Sequence, residues 1–372
     1  MISQKTEKIK EGTTQIFVFK NKTSKKGPAT KNNQPFYNPS MEQNRDLSIV
    51  VNQWLINNSK KHLHLLDGLA ASGIRGIRFA NELIGDFDIT INDYNEESFF
   101  LIKKNIDINS LNNVIACNKN LNILLNENKY DYIDIDPFGS PVYFVDSAIR
   151  SIRNNGIISC TATDTAALCG VYPKVCIRRY AARPYHSYMM HEIGLRILIG
   201  FICREAARYD KGIEPIITYS TDHFFRIYIK IVRGKNNANK SINQLKLFNP
   251  AEFKPLKSND IREIGPLWLG NLQNNRNIKE IRTMLFEKEL NTKNSLWKLI
   301  SILEEEADAP PFFYTTDGLA SDLKMTTPRI DDIFEKLQNK GFNVYKTHFC
   351  PTGFKTNASL DIIKEVFKKD KI

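Results

Sequence analysis

The run Tyr130-Asp-Tyr-Ile-Asp-Ile-Asp136-Pro137-Phe138-Gly139-Ser140-Pro141 carries the clearest chemical signal in the 372-residue chain. Acidic and apolar residues alternate as in a strand until Pro137 stops them. The residue before a proline is pushed toward extended geometry, which fixes how Asp136 projects. Ligands of open α/β sheets sit outside the carboxyl ends of the strands, so such a loop belongs at an active site. Its residue types suit an exocyclic amine on a nucleobase. That nitrogen is a poor nucleophile because its lone pair is delocalised into the ring. Hydrogen bonds from the amine to Asp136 and to a nearby backbone carbonyl would localise the pair for attack on a methyl group. Phe138 offers a face on which a base can stack, worth about 1–3 kcal/mol. Alignment of nitrogen, methyl carbon and sulfur would supply much of the rate. The plainer alternatives are a helix-capping aspartate and a core phenylalanine; Asp131 and Asp134 read as exposed or capping residues.

A second constellation lies upstream. His62-Leu-His-Leu-Leu-Asp67 reads as a strand entering Gly68-Leu-Ala-Ala-Ser-Gly73-Ile-Arg75-Gly76. Small residues there let the backbone turn tightly and approach a ligand. The spacing is not G-x-G-x-x-G, which disfavours a dinucleotide and a nicotinamide dehydrogenase. Asp67 suits a cationic, amine-bearing ligand such as the methionine part of S-adenosylmethionine. Asp93, at the end of the next strand, can accept both hydroxyls of a ribose. A structural turn and an exposed aspartate are the alternatives, and the two acidic strand ends together outweigh either one.

The elements that must position these residues follow from periodicity. Strands are expected at His62–Asp67, Asp88–Asn92, Val114–Cys117, Tyr130–Asp134 and Gly156–Thr161, with helices around Ile74–Leu83, Glu96–Asn109, Val142–Ile152 and Tyr188–Tyr209. Pro215–Ser220 and Phe224–Val232 read as an antiparallel pair. The fold class is α/β: a class I, Rossmann-like methyltransferase sheet with a smaller helix-rich α+β C-terminal domain. Ser40, with Gln43 completing a capping box, is expected to open a helix running to about Asn57. Residues 1–235 form the catalytic domain with a basic N-terminal segment, 236–260 a polar linker, and 261–372 a C-terminal domain. Within it, Thr315–Phe349 suggests helix, turn, helix and β-wing.

Net charge is +11, which favours a polyanionic partner. Residues 1–35 hold eight lysines, and residues 174–211 hold eight Lys or Arg, so the charge is clustered. Cys117, Cys160, Cys169, Cys176, Cys203 and Cys350 form no C-x-x-C pair and suggest reduced thiols. No apolar run approaches the roughly 20 residues of a membrane span, and a soluble, cytoplasmic protein is expected.

These residues resemble the tRNA guanine-26 N2-methyltransferases, archaeal type. The resemblance rests on Phe36-Tyr37-Asn38-Pro39, Asn44-Arg45-Asp46, the Asp67–Gly76 run, Asn92-Asp93, Asp136–Pro141, Thr163-Asp164, Ala182–His186 and Gly265–Gly270. It implies a target guanine sandwiched by Phe36 and Phe138 beside Asp136-Pro137. It also implies S-adenosylmethionine contacts from Arg45, Arg75 and Asp93, beside Asp67, Gly68 and Gly73 of the glycine turn. Asn120 and Leu121 would lie on the adenine side, although the acidic residue expected near Asn120 is replaced. Arg178, Arg179, Arg183 and His186 are candidate tRNA contacts; His186 reads equally as packing. Many archaeal relatives carry a four-cysteine zinc cluster between the domains, whereas residues 234–270 contain no cysteine. No structural zinc is therefore expected; a monomer is expected as well. An rRNA or DNA amino-methyltransferase would more often show Asn/Asp-Pro-Pro-Phe/Tyr. A tRNA-binding protein on a degenerate fold would have lost Asp136 or the glycine turn.

Overall fold

The computed structural model describes residues 6–19, 37–221, 223–250 and 263–368. A hairpin, β1 (Thr6–Glu11) and β2 (Thr14–Phe19), precedes helix α1 (Glu42–Asn57). Strands and helices then alternate as β3 (Leu63–Asp67), α2 (Ile74–Glu82), β4 (Phe87–Asn92), α3 (Glu96–Ile108), β5 (Val114–Cys117), α4 (Leu121–Glu127), β6 (Tyr130–Ile135), α5 (Val142–Ser151) and β7 (Ile152–Ala162). Helices α6 (Thr165–Leu168), α7 (Pro173–Tyr180) and α8 (Met190–Ala207) lead to β8 (Lys211–Ser220) and β9 (Phe225–Arg233). The seven-stranded sheet has the order β5-β4-β3-β6-β7-β9-β8. Its first five strands are parallel, and β9 runs antiparallel to both β7 and β8. This is the expected doubly wound sheet ending in an antiparallel pair.

Both faces of the sheet are covered, which is why its strands carry consecutive apolar residues. Leu66 and Ile133 point toward α4, α5 and α8. Their neighbours Leu65 and Tyr132 point toward α1, α2 and α3. The start of α1 departs from expectation. A 3-10 turn at Pro39–Met41 precedes it, and Asn38 rather than Ser40 is the cap, accepting from the Ser40 amide at 3.0 Å. Pro39 at the first helical position leaves its preceding Asn as the natural cap.

The described part of the expected linker, residues 236–250, carries a helix and a strand. Helix α9 (Lys235–Ile242) lies so close on β8 that a Cβ at Gly212 would stand 2.4 Å from the Asn237 carbonyl oxygen. Ser241 Oγ accepts from the Ile213 amide at 2.9 Å. The run lacks apolar periodicity because its polar side chains serve β8 backbone groups instead. Strand β10 (Leu245–Phe248) pairs antiparallel with β11 (Ile264–Trp268). Residues 251–260 of that segment lie outside the described residues.

The boundary at 261 is also shifted. Helices α10 (Asn275–Met284) and α11 (Lys293–Glu305) bury Ile278, Ile281, Leu296, Ile300 and Leu303 in the core that contains α1. Asp46 of α1 accepts from the Thr292 amide and hydroxyl at 3.0 and 2.6 Å. A unit with its own core begins only at β12 (Tyr314–Thr315). It continues as α12 (Thr316–Leu323), α13 (Ile330–Asn339), β13 (Val344–Lys346), β14 (Gly353–Thr356) and α14 (Leu360–Lys368). Buried charge joins it to the body: Lys355 Nζ lies 3.0 Å from Glu192 of α8 and 2.9 Å from Glu306. No helix of the described residues is long and apolar enough to cross a membrane.

Candidate active site

The carboxyl ends of β3, β4 and β6 deliver Asp67, Asn92-Asp93 and Asp136 to one end of the sheet. Asp67 is buried and accepts the Gly76 amide at 2.9 Å. Burial pushes its carboxyl up to about 7, opposed by the nearby Arg75 guanidinium. Gly73 takes φ +80° at the start of α2, and a Cβ at Gly68 would meet Leu121 at 2.9 Å and the Asp134 carbonyl at 3.0 Å. Here the glycines permit a left-handed turn and close packing of β3 on its neighbours.

Asn92 laces three loops together. It donates to the Gly68 and Lys119 carbonyls at 3.0 Å each and accepts the Lys119 amide at 3.0 Å. Half-buried Asp93 accepts from Ala71 at 2.7 Å and from Asn95 at 2.9 Å, and burial raises its pKa. Asn120 is exposed and caps α4, accepting from the Asn122 amide at 3.0 Å, while Leu121 is buried.

Asp136 is held from below. Arg75 Nη2 donates to its Oδ2 at 2.5 Å, while Nη1 donates to Asn44 and Ser48 of α1 at 2.9 and 2.6 Å. Arg75 is 5% exposed, so this clamp works away from bulk water. Asp136 Oδ1 accepts no hydrogen bond from the described residues, and its side chain is 23% exposed. Half-buried Pro137 and exposed Phe138 follow, the latter 63% exposed and so presenting its ring outward rather than to the core. Gly139 adopts φ +92°; its amide donates to Thr163 Oγ1 at 2.7 Å, and its carbonyl accepts from the Thr163 amide at 2.9 Å. The loop is thereby clamped to the end of β7. Ser140 then contacts Tyr180 at 2.8 Å, Tyr180 donates to Asp164 at 2.7 Å, and Arg179 pairs with Asp164 at 3.0 Å.

Asp134 overturns its exposed or capping reading. Its side chain is fully buried, with Arg226 Nη2 on Oδ2 at 2.5 Å and the Tyr132 hydroxyl donating at 2.7 Å. Burial opposes its ionisation, yet Arg226 and Arg75 outweigh it and hold the carboxyl below the usual range. Arg226 also donates to Thr161 and Ser48. It escaped sequence reasoning; the available signal was a lone arginine inside the apolar strand Phe225-Arg-Ile-Tyr-Ile.

The remaining expected site residues are dispersed. Arg45 donates to Glu11 of β1 and to the Asn38 carbonyl, buried beneath Tyr37. Phe36 lies outside the described residues. Arg178 is exposed on α7, and Arg183 is half-buried beside a backbone bridge to Gly265. His186 is exposed, its Nδ1 3.0 Å from the Cys169 carbonyl. The six cysteines are all free thiols.

Known proteins resemble this chain over nearly its whole length. A model of the family described as N2,N2-dimethylguanosine tRNA methyltransferase matches residues 12–368. The chain is 36% identical to a tRNA (guanine(26)-N(2))-dimethyltransferase of Methanobrevibacter smithii, covering 99% of this chain and 98% of the relative. It is 38% identical to the same enzyme of Thermococcus kodakarensis, covering 97% and 98%. A solved structure of Trm1 from Pyrococcus horikoshii with S-adenosyl-L-methionine superposes with a TM-score of 0.86 at 33% identity, covering 97% of this chain and 99% of that one. With the family match over residues 12–368 and full-length similarity to these relatives, the chain belongs to the N2,N2-dimethylguanosine tRNA methyltransferase family.

Proposed function

We propose that the chain transfers one or two methyl groups from S-adenosylmethionine to the exocyclic N2 of guanine 26 in tRNA. The observation that carries this reading is Asp136, clamped by Arg75 with Oδ1 left for a donor, beside the outward ring of Phe138. The pocket fits the methyl donor. Asp67 is a buried carboxylate whose raised pKa a cationic amine would relieve, and Ser72 Oγ is buried with no hydrogen-bond partner among the described residues. When bound, S-adenosylmethionine supplies an electrophilic methyl group on a sulfonium. Asp67, Gly68 and Gly73 would hold its methionine end and Asp93 its ribose, with Asn120 and Leu121 toward the adenine. Arg45 and Arg75 would support that pocket through α1 and the Asp136 clamp.

Asp136 would accept a hydrogen bond from the guanine amine, localise its lone pair and take up the proton released on transfer. Phe36 and Phe138 would sandwich the flipped base, fixing the nitrogen in line with the methyl carbon. Arg178, Arg179, Arg183 and His186 would contact the tRNA backbone. The unit from β12 to α14, read as winged-helix-like, would bind the tRNA body. The enzyme is proposed to act in the cytoplasm as a monomer. No structural zinc is proposed between its domains, since residues 234–270 hold no cysteine.

The test is incubation of unmodified tRNA transcript with labelled S-adenosylmethionine, followed by digestion to nucleosides. Label is expected in N2-methylguanosine, N2,N2-dimethylguanosine or both. Label in another base, or at another guanine atom, would overturn the reading.

A further inference from the structure

Parallel strands β3 and β4 begin at the pole of the sheet opposite the catalytic loops, and three side chains converge there. His62 and His64 are two positions apart, so they share one face of the chain at β3. Asp88 of β4 is the register partner of His64. Its two oxygens lie between the two imidazoles: Oδ1 is 2.8 Å from His64 Nδ1 and Oδ2 is 3.1 Å from His62 Nε2. The rings lie edge to face with centroids 4.9 Å apart. Nitrogen and oxygen donors of all three residues fall within 4.8 Å of one another.

We propose that His62, His64 and Asp88 form a binding site for a divalent transition-metal ion of the zinc class. Asp86 gives the cluster its direction. It lies 2.6 Å from His62 Nδ1, so both ring nitrogens of His62 face carboxylate oxygens. Asp86 beside Nδ1 leaves Nε2 facing Asp88, the carboxylate-histidine arrangement that orients metal ligands. A zinc bond of about 2.0–2.1 Å needs ligand atoms roughly 3–3.5 Å apart. The contraction from the present spacing is within reach of small rotations, because the side chains of His62, His64 and Asp88 are 42%, 38% and 28% exposed. A donor set of two imidazoles and one carboxylate without thiolate selects a borderline divalent ion over calcium or magnesium. His64 lies about 10 Å along the strand from Asp67, so the site is separate from the methyl-transfer pocket and would brace the pole where β3 and β4 start.

The test uses the full chain, stripped with EDTA and titrated with Zn²⁺ by calorimetry. One ion per chain is expected, with affinity falling at least about 10-fold in His62→Ala/His64→Ala. Asp86→Asn should weaken binding by about 10–100-fold while keeping the stoichiometry. Circular dichroism and tRNA methylation in these variants should match the parent, which separates loss of the site from loss of fold. Equal affinity and stoichiometry in parent and double variant would place the ion on other groups, such as the cysteines, and overturn the proposal. Absence of binding in the parent would do the same.

Discussion

Asp136→Asn is expected to lower kcat for methyl transfer by about 10²–10³-fold, the usual effect of removing one charged partner of a reacting group, with KM for tRNA within about threefold of the parent. The substitution keeps the shape of the side chain and a hydrogen-bonding partner for Arg75. What it removes is the negative charge proposed to sit beside the amine, and with it the proposed acceptor for the departing proton. The Gly139–Thr163 clamp and the Ser140–Tyr180–Asp164 chain do not involve Asp136, so the loop keeps its conformation. Single-turnover rates and tRNA binding measured on the same preparation check this directly. Turnover within a few-fold of the parent would mean that Asp136 is a structural partner of Arg75 and nothing more.

The largest effect on stability is expected at the ion pair below that loop. Asp134 and Arg226 are both fully buried, and Arg75 Nε lies 3.5 Å from the same carboxylate. Asp134→Asn would leave Arg75 with Asp136 and the buried Arg226 guanidinium with only neutral acceptors such as Thr161 and Ser48. Breaking such a pair costs about 3–5 kcal/mol, because the surviving charge is uncompensated. Arg226→Met should cost a similar amount, and Asp134→Asn/Arg226→Met less than the sum of the two, since each single change already removes the shared interaction. Urea unfolding followed by tryptophan fluorescence measures all three. The pH dependence has a definite sign: Asp134 is held below its ordinary pKa, so its contribution is present at neutral pH and lost as pH falls through the folded-state value. Additive single-variant losses would contradict a direct coupling.

The sheet was legible because its strands are short apolar runs bounded by Gly, Pro, Asn and Asp, and Asp67, Asp93 and Asp136 were legible because they end such strands. Asp134 was not. Its alternation with apolar residues looks like a half-exposed strand, whereas β6 is central and covered on both faces. The arginine that neutralises Asp134 comes from β9, 92 positions later, and no local pattern links them. Helix α9 was hidden by composition, since its Asn and Ser residues serve the edge of the sheet rather than a core. The boundary at 261 failed for a related reason: α10 and α11 have ordinary amphipathic patterns that do not say which core they join. Asn38 displaced Ser40 as cap because Pro39 occupies the first helical position.

The guanine amine is the central claim, and the most direct measurement compares tRNA transcripts carrying guanosine or inosine at position 26. Inosine retains the ring face for stacking on Phe138 and lacks only the exocyclic amine. Both transcripts should bind with similar affinity, with methyl incorporation at position 26 in the guanosine transcript and none in the inosine transcript. Comparable incorporation into inosine 26 would contradict an amine held by Asp136 and place the methyl group on another atom.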